Sequence, residues 1–333
     1  VIGALIALLA PLSVTAEPFP GLEQPVSVGC AELIGGVILR GPEAFGGLSA
    51  LTVDVDGDAL LALSDAAWLF SADVETRPDG AVAALRGVQS FKLHDRQGRP
   101  LNKMSGDAEA MALLGDELAI SYEGRNQIVS VNGDVRQLAP PTPPAEEDRP
   151  ILKRNSGFEA LVAMGDGTLM AVSEGADEDG LAIVRRGRLG RPMSEWARTA
   201  YRPTKDFAVT AADLDPLSGD LFVLERAFSP LQGPRARLKR VDGARLGAEV
   251  LEGEEVARLG LLQGIDNMEG LSLVARTDGS LRAYLVSDDN YSALQRTVLL
   301  TLAIPPGCGS PAAQARAGTD APAQEVVDEQ EGG

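Results

Sequence analysis

Gly157-Phe158-Glu159-Ala160-Leu161, followed by Leu169-Met170-Ala171-Val172-Ser173-Glu174, holds the pattern that decides the fold. Two apolar runs flank an Asp166-Gly167 turn, and an acid stands near the start of the first and at the end of the second. The same plan recurs four times. It reads Gly47-Leu48-Ser49-Ala50-Leu51 to Ser64-Asp65, Asp107-Ala108-Glu109-Ala110-Met111 to Tyr122-Glu123, Ala211-Ala212-Asp213-Leu214 to Leu224-Glu225, and Asn267-Met268-Glu269-Gly270-Leu271 to Ser287-Asp288. With 49, 109, 159, 212 and 269 as equivalent positions, the repeat is roughly 50 to 60 residues long. Short strand pairs at that period are the signature of propeller blades. One such unit has too little core to stand alone, and stacking blades around an axis buries both faces of each sheet.

The expected fold is therefore all-β: a β-propeller with five visible blades, or six if one long interval hides a degenerate repeat. The last strand, Arg296 to Ile304, lacks a following partner, and strands around Val26 to Leu39 are available to complete its blade. The ring would then close by joining its two ends. A β-sandwich is the alternative, but it leaves the repeated acids unexplained.

Outward from the repeats, residues 1–16 form an uncharged apolar run ending in Val14-Thr15-Ala16, the pattern of a cleaved signal peptide, although its usual basic start is missing. An uncleaved anchor competes, disfavoured by Pro11 and the short run. The folded domain is expected over residues 22–308, and 309–333 reads as a disordered acidic tail. Cys30 and Cys308 lie near the two ends of that domain. In an oxidising compartment they would form a disulfide worth roughly 3–5 kcal/mol; two buried free thiols are the other reading. Both features point to a periplasmic or secreted protein.

Composition narrows the function. Of 333 residues, 44% are hydrophobic and 4% aromatic, an ordinary globular content with few rings. Acidic residues number 48 against 30 basic ones, a net charge of -18, which argues against nucleic acid as a partner. His94 is the single histidine, so no mechanism needing two imidazoles fits, and its setting reads as a surface turn. No G-x-S-x-G elbow, P-loop, H-E-x-x-H or C-x-x-C is present. The serines beside the acids lack a base to activate them.

Innermost propeller strands line the central channel, so equivalent acids converge there. Glu109, Glu159 and Glu269 are the candidate catalytic carboxylates. Asp65, Glu123, Glu174, Glu225, Asp288 and Asp289 are candidate metal ligands. Such a ring needs arginine or lysine partners or a hard cation, and Ca²⁺ with six to eight oxygen ligands suits it better than zinc. Arg125, Arg296 and Asn290 are candidates for holding an anionic substrate group, with Arg125, Arg226 and Arg296 also open to internal ion pairs.

The phrases Phe45-Gly46-Gly47-Leu48-Ser49, Ser121-Tyr122-Glu123-Gly124-Arg125, Gly157-Phe158-Glu159-Ala160-Leu161, Asp266-Asn267-Met268-Glu269-Gly270 and Val286-Ser287-Asp288-Asp289-Asn290-Tyr291 carry a resemblance. Over roughly residues 43–304 the chain resembles the phytase-like domain family, described as having esterase-like activity of phytase. That resemblance implies an exported propeller with phosphoester or ester hydrolase activity on a small anionic or ester substrate. No R-H-G signature occurs, so the histidine acid phosphatase mechanism is excluded. Within the repeat, Ser49 and Ala212 replace the glutamates of the other three blades. The alternative function is a non-catalytic binding propeller whose calcium is structural. No membrane span is expected once the signal is removed, and oligomeric state is left open.

Overall fold

A computed structural model describes residues 10–104, 106–132, 138–152 and 156–310. Their regular structure is strand, with short 3-10 turns and no α-helix among the described residues. Five antiparallel sheets follow one another in the chain. Each sheet runs outward from an inner strand: Leu48–Val53, Ala108–Leu114, Phe158–Ala163, Ala208–Leu214 and Asn267–Ala275. Every inner strand touches the next, and the fifth touches the first, so the ring is closed with five blades.

Alternation builds the core. Successive side chains of a strand point to opposite faces, and here both faces meet a neighbouring blade. Ala160 packs into the junction of blades three and four, while Leu161 packs into that of blades two and three. The buried apolar residues accordingly fall into five clusters, one at each junction. The short continuous apolar runs of the sequence are strands covered on both sides.

The fifth blade closes the ring as expected. Its third strand, Thr297–Ile304, pairs antiparallel with Glu32–Arg40, with Thr297 opposite Leu39. The Cys30–Cys308 disulfide clips the same blade, and Cys30 N–H donates to the Val256 carbonyl of blade four. Ahead of residue 22, Thr15–Pro18 pairs with Glu32–Arg40 and Ala10–Pro11 with Val82–Lys92. Residues 1–9 and 311–333, most of the expected leader and tail, lie outside the described residues.

Between blades two and three, residues 145–152 are fastened by charge. Buried Arg185 donates to Asp148 at 2.7 and 3.0 Å and to Glu147 at 2.6 Å, and Arg198 adds a bond to Asp148 at 3.1 Å. Asp148 is fully buried with all of these partners in place.

Candidate functional site

The inner strands share an irregularity. Each ladder slips by one residue near the start of the strand, leaving Ser49, Glu109, Glu159, Thr210 and Glu269 as bulges in the five blades. A bulge breaks the two-residue alternation and re-aims its side chain. The spare residue of each blade thus sits where the inner strands begin, at one end of the central channel, which we call the mouth.

Register also fixes the second position. The residue one beyond the last partner of the bulged turn is Asp65, Glu123, Glu174, Arg226 or Asp288 in the respective blades. Two expectations are corrected here. The equivalent of the bulge glutamates in blade four is Thr210, not Ala212. Glu225 is one residue out of phase with the other acids, and a one-residue slip in a strand turns the side chain to the other face. Glu225 instead accepts from the Tyr201 hydroxyl at 2.6 Å and the Thr204 N–H at 3.1 Å, away from the acid cluster.

Four of the remaining acids, with Asp107, form two overlapping triads. Carboxylate oxygens of Asp107, Glu109 and Glu123 lie within 4.8 Å of one another, and so do those of Glu123, Glu159 and Glu174. Glu123 belongs to both. Arg226 bridges Glu269 at 3.2 Å and Glu174 at 3.4 Å, and Asn267 donates to Glu269 at 2.8 Å. Lys103 pairs with the buried Asp65. Asp107 and Lys103 were not among the candidate site residues, and Arg226 makes the internal ion pairs that the sequence leaves open for it. Aligning Ser64-Asp65, Tyr122-Glu123, Ser173-Glu174, Glu225-Arg226 and Ser287-Asp288 would have put Arg226 at the second position of blade four.

Crowding and loss of water disfavour the charged form of Glu109, Glu123, Glu159, Glu174, Glu269 and Asp288. Burial, then the Glu159 charge, raises Glu109 well above the carboxylate range, and burial with Glu174 does the same to Glu159. Burial lifts Glu269 to about 8 against the opposing pull of Arg226. Glu123 rises to about 7 through burial and Asp107, and Asp288 to about 7 through burial despite the Asn290 N–H it accepts. Two unit charges at 4 Å near a protein surface interact by about 4 kcal/mol. The cluster therefore either keeps protons or binds a cation.

Other candidates lie elsewhere. Asp289 accepts from Gly47 N–H at 2.9 Å, Tyr291 N–H at 3.0 Å and the Thr297 hydroxyl at 2.9 Å, so its oxygens organise the loop. Arg296 donates to the Gly264 carbonyl at 2.6 Å and lies over the Phe19 ring, fastening a neighbouring turn rather than facing the acids. Asn290 is exposed, its amide donating to Gln295. Arg125 is exposed on the wall of a cleft beside blade two with Tyr122 and Gln127. The recurrent serines are structural: Ser173 and Ser287 are fully buried and accept from Ile183 and Val298 N–H at 2.9 and 2.8 Å.

No curated protein sequence matches this chain. Among solved structures it is similar to U3-55K, at 12% identity over 80% of this chain and 97% of that one, with a TM-score of 0.42. It is also similar to a chain of a nidogen/laminin complex, at 10% identity over 86% and 96%, with a TM-score of 0.44. A family model described as "Phytase-like: Esterase-like activity of phytase" matches residues 43–291, spanning all five inner strands and the acids they aim into the mouth, and the chain belongs to that family.

Proposed function

We propose that the protein is an exported, calcium-assisted hydrolase of a phosphoric or carboxylic ester, acting at the mouth of the propeller. The observation that carries this reading is the pair of carboxylate triads sharing Glu123. Their donors are all oxygen, the ligand chemistry of a hard cation. Asp107, Glu109, Glu123, Glu159 and Glu174 would hold it. A calcium ion bound there supplies charge to polarise the ester oxygen and stabilise the negative charge that develops.

The chain supplies the proton handling. Glu269, with its pKa pushed up to about 8, keeps a proton near neutral pH and can give it from a carboxyl oxygen to the leaving alkoxide. Asp288 is raised to about 7 and is the nearest match to a base that takes a proton from attacking water. Arg226 steers the Glu269 carboxyl by its 3.2 Å contact. Water adds across the ester bond, yielding one acid and one alcohol. Arg125, two residues after Glu123 and free of ion pairs among the described residues, offers a cation for an anionic substrate group from the cleft beside blade two. The disulfide supports export to an oxidising compartment. Among the described residues no helix is long and apolar enough to cross a membrane.

The test is turnover of p-nitrophenyl phosphate, p-nitrophenyl acetate and inositol hexakisphosphate in calcium and in chelator. Calcium-dependent release is expected, falling at least a hundredfold in Glu159→Gln and Glu269→Gln while both variants keep a cooperative melt. Full turnover by the folded variants would remove these residues from the chemistry. Calcium-dependent stabilisation without turnover of any ester would leave a binding propeller.

A further inference from the structure

The mouth has an apolar rim. Val55 and Leu217 stand in solvent in hairpins at the far end of the ring, but the other large exposed apolar side chains among the described residues lie on segments at the mouth end. Five of them belong to blades four and five. Phe228 and Leu231 belong to the Leu221–Ser229 to Gly233–Val241 hairpin, Leu261 and Leu262 to the turn before Asn267–Ala275, and Leu294 to the loop after Asp288. Their exposures are 70, 92, 60, 98 and 94%.

These segments are joined. Leu261 packs so closely on Gly233 that a Cβ there would meet it at 2.7 Å. Gln295 donates to Asp266 at 3.2 Å and Arg296 to Gly264, tying the third segment to the second. Leu261 and Leu262 also line a cleft together with Phe19, Leu22, Val26 and Arg296. Rim and cleft thus share Leu261 and Leu262, on the turn that leads into the inner strand carrying Glu269.

We infer that the substrate of this mouth is an ester carrying an apolar chain, which lies across the rim of blades four and five and into that cleft. The inference rests on the hydrolase reading above and narrows its substrate class. Charge selects the occupant. A polyanion meets a chain of net charge -18, whereas a neutral ester with an alkyl chain brings no charge to be repelled. A second copy of the chain would bring another net charge of -18 against the first, and an anionic lipid surface would meet the same repulsion.

The experiment compares p-nitrophenyl acetate, butyrate and octanoate in calcium, for the wild type and for Leu231→Ser/Leu262→Ser. Full burial of a methylene is worth about fourfold, so a half-covered chain gains about twofold per methylene and roughly sixtyfold in kcat/KM from acetate to octanoate. The octanoate-to-acetate ratio is expected to collapse toward one in the double variant. It should be unchanged in Val55→Ser/Leu217→Ser, at the opposite end. An unaltered ratio in the rim variant overturns the inference. Should no ester be turned over, the hydrolase reading fails separately, and titration with octyl glucoside below its micelle concentration decides the rim. Binding by the wild type and weakened binding by the rim variant keep the inference for the rim, and no binding overturns it. A wild-type dimer that becomes a monomer on rim substitution, with no chain-length effect, marks a face between copies and also overturns it.

Discussion

Glu269 and Arg226 show how one position sets the electrostatics of the mouth. Four blades place a carboxylate at the second position, and the fourth places a guanidinium there. Glu123, Glu269 and Asp288 have pKa values raised to about 7, 8 and 7, so between pH 4.5 and 8 the folded chain binds more protons than the unfolded one. Stability contributed by the protonated groups is complete at the acid side of that window and is lost as pH rises through it. The melting temperature in chelator is expected to fall from pH 5 to pH 8, and calcium should raise it more at pH 8 than at pH 5. Differential scanning fluorimetry at three pH values, with and without calcium, reads both slopes; a pH-independent melt would contradict the first. Arg226→Leu removes the charge that holds Glu174 and Glu269 down, so its pH slope in chelator should be steeper than that of the wild type.

At the scale of the element, the decisive device is a bulge repeated in five inner strands. The apolar runs and the Asp-Gly turns were legible in the sequence because alternation and turn chemistry are local. So was the convergence of Glu109, Glu159 and Glu269, since they follow one another at the repeat spacing. The bulge was not legible, because it is defined by the partner strand. Without it, Thr210 has no visible kinship with Glu159, and Glu225 looks like the acid that Arg226 replaces. The 3.8 Å ion pair of Arg296 with Asp266, one of the two roles the sequence leaves open for that arginine, is likewise made across the blade, by a loop that turns back to Gly264. The buried Arg185–Asp148 pair, which pins residues 145–152 to blade three, is another tertiary feature with no local signal. Breaking one partner of a buried pair costs about 3–5 kcal/mol, whereas replacing both with apolar residues is often nearly neutral. Urea denaturation should show that loss in Asp148→Leu and substantial recovery in Asp148→Leu/Arg185→Met. Equal losses in the single and double variants would assign the cost to packing instead.

Over the whole molecule, stability is spread over five junctions, each with its own apolar cluster, and the ring has no central core to share. Cutting the ring at one place therefore endangers it only through the two neighbouring junctions. The Cys30–Cys308 bond closes a loop spanning a separation of 278 residues. Its loss in Cys30→Ser/Cys308→Ser should lower unfolding free energy by about 3–5 kcal/mol, read as a fall in the urea midpoint with the slope preserved. The reduced wild type should melt with the variant, and a gap between them would locate part of the effect in the serine substitutions.

The pairing of Thr297–Ile304 with Glu32–Arg40 also sets a clock. The strand that seals the last blade leaves the ribosome among the first and waits for its partner while about 260 residues are made, roughly 13 to 50 seconds at ordinary synthesis rates. Throughout that interval an apolar strand with unpaired amides is present in a nascent chain whose earlier blades are already able to form. Such an edge is a template for pairing with another chain. Birth, rather than mature life, is thus the period of greatest hazard for this molecule, and a helper that shields one strand for under a minute would serve it better than any later repair.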